Sequence, residues 1–274
     1  MKEEEIKREV RTRYAKVAKT NSSCCAPSAG CCSAPNKQVS KMVGYSEEEM
    51  SEVPEGANLG LGCGNPTALA SLKEGERVLD LGCGAGFDVF LAAKKVGTQG
   101  QVIGVDMTPE MLDKARANAK KGGYTNVEFR LGEIENLPVA DNCVDVIISN
   151  CVINLAPNKK RVFEEAFRVL SSNGRLMVSD LVLRRKLPEL VQKNVEAYAG
   201  CISGAELKEV YLEQMRNAGF QNVAVMEEKS YPLEYVFGAE AFKSVIDLGL
   251  TPEELKETAN SIVSINVSAL KTDS

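Results

Sequence analysis

The sequence predicts a doubly wound α/β domain built on a mostly parallel sheet, and three observations carry that expectation. Apolar strands alternate with amphipathic helices from Arg77 onward. The strands read as near-continuous apolar runs, as strands covered on both faces do. A glycine-rich turn, Asp80-Leu81-Gly82-Cys83-Gly84-Ala85-Gly86, joins the first strand to the first of those helices.

Element by element, residues 1–19 read as a helix with mixed charge, and residues 20–40 switch to Asn, Ser, Ala and Pro with four cysteines, a loop composition. Ser46 followed by Glu47, Glu48 and Glu49 reads as a helix start, with a cap and acidic residues in the first turn. A second loop, NLGLGCGNP, runs from Asn58 to Pro66. Then come RVLDLG, a helix from Phe87 to Lys95, QVIGVD, a helix from Pro109 to Lys121, NVEFRL, VDVIIS, a helix from Lys159 to Leu170, and GRLMVSDLVL. Beyond Leu183 the sequence predicts helices near 189–199 and 205–218, the strand NVAVMEEKS, and a last helix in which Thr251 caps Pro252. This divides the chain into an N-terminal helix with cysteine-rich loops (1–71), a cofactor-binding domain (72–230) and a small C-terminal α+β extension (231–274).

With 274 residues, 44% hydrophobic and 26% charged, the chain can close one sizeable core and carry a smaller unit. Its formal net charge of −5 leaves no basic footprint for nucleic acid. The amino end has no apolar h-region, and no apolar run approaches the roughly 18 residues that span a bilayer, so no membrane association is expected. Nine cysteines without an export signal point to reduced thiols in a cytoplasmic protein, expected to be a monomer. Histidine is absent, so the chemistry has to run without imidazole.

The glycines of the turn let backbone approach a ligand at a helix amino end. Asp106, ending the strand QVIGVD, can accept hydrogen bonds from the ribose hydroxyls of a nucleoside. The third glycine follows the second by two residues, which separates the motif from a dinucleotide fingerprint. That spacing, with Asp80 leading it and Gly132-Glu133-Ile134 after the third strand, resembles the seven-stranded class I methyltransferases from about Leu72 to Ser230. The resemblance implies S-adenosylmethionine as cofactor. It assigns Asp80, Gly82, Cys83, Gly84 and Gly86 to the cofactor loop, the glycines backing the methionine portion. Asp106 would hold the ribose, Met107 flank the adenine, and Glu133 with Ile134 reach the base edge.

The cysteines divide by context. Cys83 and Cys143 read as small packing residues. Cys151 follows the carboxyl end of VDVIIS, the sheet edge where ligands bind. Cys201 sits in the glycine-rich break AGCISGA, and the glycines flanking Cys63 read as exposing a mobile thiol. Together LGCGNP, DLGCGAG, SNCVINL and GCISGA resemble the arsenite S-adenosylmethionine methyltransferases. That resemblance implies that Cys63, Cys151 and Cys201 bind trivalent arsenic and that a fourth cysteine of the amino-terminal loop exchanges disulfides. Two adjacent pairs, Cys24-Cys25 and Cys31-Cys32, offer it. Cys32, nearest the ordered domain, is the first choice and Cys31 its substitute.

Soft thiolates suit trivalent arsenic, whose lone pair would be the nucleophile, so no base is needed. Transfer oxidises arsenic. The loop around Cys32 and the flanked Cys63 could return two electrons by pairing, then be reopened by a thioredoxin-like or glutathione-type reductant. Two other readings stand beside this one: a methyltransferase for a quinone-like or other small acceptor, and a thiol-rich metal-binding module.

Overall fold

A computed structural model describes residues 3–20, 36–187, 204–230 and 251–272 of the chain. In these, nine α-helices and seven strands follow one another. They are α1 (Glu3–Thr20), α2 (Asn36–Met42), α3 (Glu47–Glu52), α4 (Pro66–Leu69), β1 (Arg77–Leu81), α5 (Phe87–Val96), β2 (Gln101–Asp106), α6 (Pro109–Gly122), β3 (Val127–Leu131) and β4 (Val144–Asn150). There follow α7 (Lys159–Val169), β5 (Leu170–Leu183), α8 (Lys208–Asn217), β6 (Gln221–Ser230), α9 (Pro252–Ser261) and β7 (Ile262–Leu270). The helix expected over 189–199 lies outside the described residues.

The strands form one sheet in the order β3-β2-β1-β4-β5-β7-β6. The first five run parallel, and β7 enters antiparallel between β5 and β6. The switch point therefore lies between β1 and β4, where the carboxyl ends open a crevice. Residue alternation sorts the two faces. Leu79, Leu81, Ile147 and Val178 pack with Phe163 of α7 and Tyr211 of α8, whereas Val78, Val102, Val146 and Met177 pack with Val89, Ala93 and Val96 of α5. The central strands are buried on both faces, which is why they lack polar alternation.

Local chemistry sets the helix boundaries as expected. Ser46 accepts from the Glu49 N–H at 3.1 Å while the Glu49 carboxylate accepts from the Ser46 N–H at 3.0 Å, a closed capping box. Thr251 and Glu254 build a second one at the start of α9.

The chain's two ends depart from the expected division. The last strand, β7, lies within residues 231–274, where a separate extension was expected, yet it is an interior strand of the main sheet. Val263, Ile265, Val267 and Ala269 are fully buried, with Ser264, Asn266 and Ser268 between them. That period-two pattern specifies a strand and pins its register. At the other end, α1 packs on α6, and its Val10 and Val17 are buried, so the N-terminal helix is docked on the domain. No helix among the described residues is long and apolar enough to cross a membrane.

Candidate active site

A cleft of about 1080 Å³, including its mouth, opens at the carboxyl ends of β1, β2 and β4. Its floor is the β1–α5 turn. Gly82 and Gly84 hold φ of 68° and 51°, left-handed values that favour glycine. A β-carbon on Gly82 would collide with Val152, whereas one on Gly84 would meet nothing within 4 Å, because Gly84 faces the open cleft. Cys83 lines the same wall as a buried thiol whose pKa burial pushes well up, so it stays protonated and inert. Cys143 is half-buried against the main core.

The cleft is acidic. Asp80, Asp88, Asp106 and Glu135 line it with a single lysine, Lys7, among the described residues. Burial raises Asp80 well above the usual carboxyl range, and Asp88 and Asp106 nearby push the same way. Burial also brings Asp88 to about 6, against hydrogen bonds from Tyr45 and Asn150. Asp106 accepts from the Gly84 N–H at 2.9 Å and the Thr108 N–H at 2.8 Å, and burial still raises its pKa. A carboxylate retains further lone pairs after two such bonds, so Asp106 can still accept from hydroxyls. Beside it stand Met107 and Ile134, an apolar wall for a flat base. Asn58 adds a buried donor: its Oδ1 accepts from Gly60 N–H and Ser40, while its Nδ2 is buried without a partner on the cleft wall. A ligand carrying positive charge, a carboxylate to take the Asn58 amide, a ribose and a flat base matches this set, and S-adenosylmethionine has all four.

Two expected cofactor contacts lie elsewhere. Gly86 caps α5 with φ of 93° off the cleft wall, where its missing β-carbon makes room for the Phe90 ring. Glu133 turns away toward α1, accepting from Lys7 Nζ at 2.7 Å and pairing with Arg11 at 3.5 Å. Its neighbour Glu135 lines the cleft instead and lies 3.4 Å from Lys7 Nζ.

The sulfur end of the cleft joins residues far apart in sequence. Cys63 and Cys151, 88 positions apart, form a disulfide with their α-carbons 5.8 Å apart. Cys151 leaves β4 in the left-handed region, φ 57°, and its N–H donates to the Ser179 carbonyl at 2.8 Å. Such a conformation is costly for a residue with a β-carbon and is sustained by its surroundings.

Asn150, one position earlier, ties the Cys63 loop down. Its Oδ1 accepts from the Cys63 N–H at 3.0 Å, and its Nδ2 donates to the Gly64 carbonyl at 2.8 Å, to Tyr45 Oη at 2.9 Å and to Asp88 at 3.2 Å. The glycines flanking Cys63 were expected to expose it, but the thiol position is only 5% exposed. They serve close approach. A β-carbon on Gly62 would lie 2.6 Å from Asn150 Nδ2, and one on Gly64 2.6 Å from the Ser179 side chain. From β7, Ser264 donates to the Cys63 carbonyl at 2.8 Å.

Asp180 completes the cluster. A carboxylate oxygen of Asp180 and the two sulfurs all lie within 4.8 Å of one another. Burial lifts Asp180 to about 7 although the Leu181 N–H, Asn154 and Tyr211 donate to it. Cys201 and the amino-terminal Cys24, Cys25, Cys31 and Cys32 lie outside the described residues.

Sequence reading missed Asn58, Asn150, Asp180 and the α1 face. Signals existed for most of them. Asp180 is an acid inside an apolar strand, Asn150 precedes the singled-out Cys151, and Lys7, Val10 and Tyr14 share helical spacing and line the cleft together.

Comparison with known proteins agrees with the geometry. Residues 72–229 match a methyltransferase domain family. The chain is 49% identical over 230 residues to an arsenite methyltransferase of Halobacterium salinarum, covering 81% of this chain and 59% of that protein. It is 33% identical over 214 residues to the human arsenite methyltransferase, covering 75% of this chain and 55% of the relative, so it spans little more than half the length of such relatives. The crystal structure of an arsenic(III) S-adenosylmethionine methyltransferase from Chlamydomonas reinhardtii superposes with a TM-score of 0.63 at 32% identity, covering 87% of this chain and 74% of that one. Fold, glycine turn and relatives agree that the chain belongs to the arsenite S-adenosylmethionine methyltransferase family.

Proposed function

We propose that the chain transfers a methyl group from S-adenosylmethionine to trivalent arsenic held on the thiolates of Cys63, Cys151 and Cys201. The observation that carries this reading is the meeting of Cys63 with Cys151 across 88 residues of sequence, with Cys151 on the wall of the acidic cleft. When bound, S-adenosylmethionine supplies an electrophilic methyl on a sulfonium. That cation would favour the ionised forms of the buried Asp80, Asp88 and Asp106, whose pKa values burial raises, while Asp106 holds the ribose and Asn58 Nδ2 donates to the cofactor carboxylate.

On the sulfur side, Asn150 and Ser264 hold the Cys63 loop against the sheet, so that reduction of the bridge would leave two thiolates at close spacing. Ala205, four residues after Cys201, packs in the same apolar cluster as Cys63 and Cys151, which supports a third thiolate arriving from that segment. Arsenic bound this way keeps its lone pair, so no side chain removes a proton, in keeping with a chain without histidine. Holding both reactants in one geometry is worth on the order of 7–11 kcal/mol of barrier, and catalysis is mainly positional.

The disulfide bears on turnover. Cys63 and Cys151 must be reduced before they ligate arsenic, so a thioredoxin-like or glutathione-type reductant belongs to the cycle. Cys32, with Cys31 as its substitute, is the proposed exchange partner. The protein is proposed to act as a cytoplasmic monomer. The test is one assay: protein, S-adenosylmethionine, arsenite and thiol, with methylated arsenic measured by chromatography. Cys151→Ser is expected to abolish the product while retaining cofactor binding, and unaltered output would overturn the assignment.

A further inference from the structure

The Cys63–Cys151 bridge stands between two cavities. Cys151 lines the cofactor cleft and Cys63 does not; Cys63 lines a second pocket of about 700 Å³ and Cys151 does not. That second pocket is walled by Met42 of α2, by Glu227, Lys229 and Ser230 of β6, and by Ser264 and Asn266 of β7. One side of the wall is polar and charged, and Val39, Met42 and Val43 make the other side apolar. Lys229 pairs with Glu227 at 2.8 Å with its side chain half exposed, and Glu227 also accepts from Asn266 Nδ2 at 2.9 Å.

We infer that this pocket admits the small thiol that reopens the bridge, and that the thiol attacks Cys63, releasing Cys151 into the cofactor cleft. The inference rests on the reading that this pair holds arsenic and must be reduced. Thiol–disulfide exchange requires the attacking sulfur to approach on the side away from the sulfur that leaves. Of the two bridged sulfurs, Cys63 belongs to the residue that lines the second pocket, so attack from there falls on Cys63 and the leaving sulfur is Cys151.

The step balances. An external thiolate forms a bond to Cys63 Sγ, the Sγ–Sγ bond breaks, and its electron pair departs on Cys151 as thiolate. A second thiolate then attacks the external sulfur of the mixed disulfide, freeing Cys63 as thiolate and releasing the oxidised dimer of the thiol. Two thiols are oxidised and one protein disulfide is reduced. The half-exposed Lys229 ammonium, with Glu227 beside it, suits a thiol that carries both a carboxylate and an ammonium group, a short peptide thiol. A consequence is separation: reductant enters on one side of the bridge and methyl donor on the other, so neither has to leave for the other to bind.

The experiment uses the oxidised full chain and reduced glutathione, without arsenite or methyl donor, quenched in acid at early times, alkylated and mapped by mass spectrometry. The glutathionyl group is expected on Cys63. Lys229→Glu is expected to slow reduction by glutathione at least fivefold while leaving reduction by uncharged dithiothreitol within twofold, and Met42→Trp, which narrows the pocket, is expected to slow both. A glutathionyl group on Cys151, or wild-type rates in both variants, would overturn the inference. Because no arsenic is present, this result and that of the methylation assay fail independently.

Discussion

Replacing Asn150 by alanine tests whether one amide holds the arsenic site together. The substitution removes the acceptor for the Cys63 N–H and the donor to the Gly64 carbonyl, both on buried backbone. Each orphaned buried group costs about 1–3 kcal/mol, so the pair bounds the loss at roughly 2–6 kcal/mol. A water taking the place of the amide would recover part of that, which places the expected loss at about 2–3 kcal/mol. Urea unfolding followed by far-ultraviolet circular dichroism measures it, provided the slope is unchanged. If the loop loosens as the geometry implies, arsenite affinity measured by equilibrium dialysis on the reduced protein falls at least about tenfold, equivalent to ~1.4 kcal/mol. A stability change below about 0.5 kcal/mol together with unaltered arsenite affinity would refute the role given to Asn150, since surface substitutions fall in that range.

Three further outcomes follow from the same geometry. Gly82→Ala and Gly84→Ala both force a left-handed backbone, at about 1–2 kcal/mol; only Gly82→Ala also collides with Val152, so it should melt lower, whereas Gly84→Ala should chiefly weaken binding of S-adenosylhomocysteine by calorimetry. The Asp180 carboxyl titrates near 7 when folded but near 4 when unfolded, so the native state binds the extra proton between those values and loses stability as pH rises from about 4 to 7; Asp180→Asn should flatten that decline, and parallel pH–stability curves for the two proteins would contradict it. Lys7→Glu sets a third carboxylate against Glu133 and Glu135, so α1 should exchange amide hydrogens faster and cofactor affinity should drop, with unchanged exchange over residues 3–20 counting against a docked helix.

Much of this protein was legible in the sequence because its signals are local or periodic. The strand–helix alternation from Arg77, the glycine turn at Asp80–Gly86, Asp106 at a strand end and the caps at Ser46 and Thr251 need only neighbouring residues to be read. Even β7 carried its signal, in the alternation of Val263, Ile265, Val267 and Ala269 with polar residues. What no local pattern contains is where that strand inserts. Its place between β5 and β6 is chosen by burial of both faces, and it brings Ser264 to the Cys63 carbonyl 201 positions away in sequence.

The site divides along the same line. Residue types alone determined the chemistry available: soft sulfur, no imidazole, and a backbone cradle followed by an acid. Tertiary structure decided which groups meet. It buried Cys63 where glycine flanks suggested exposure, because glycines that free a loop in solution equally let it press against Asn150 and Ser179. It turned Glu133 to Lys7 and Arg11, and it set Asp180 beside two sulfurs. Such pairings depend on packing between distant segments, whose energies are summed only when the chain closes on itself.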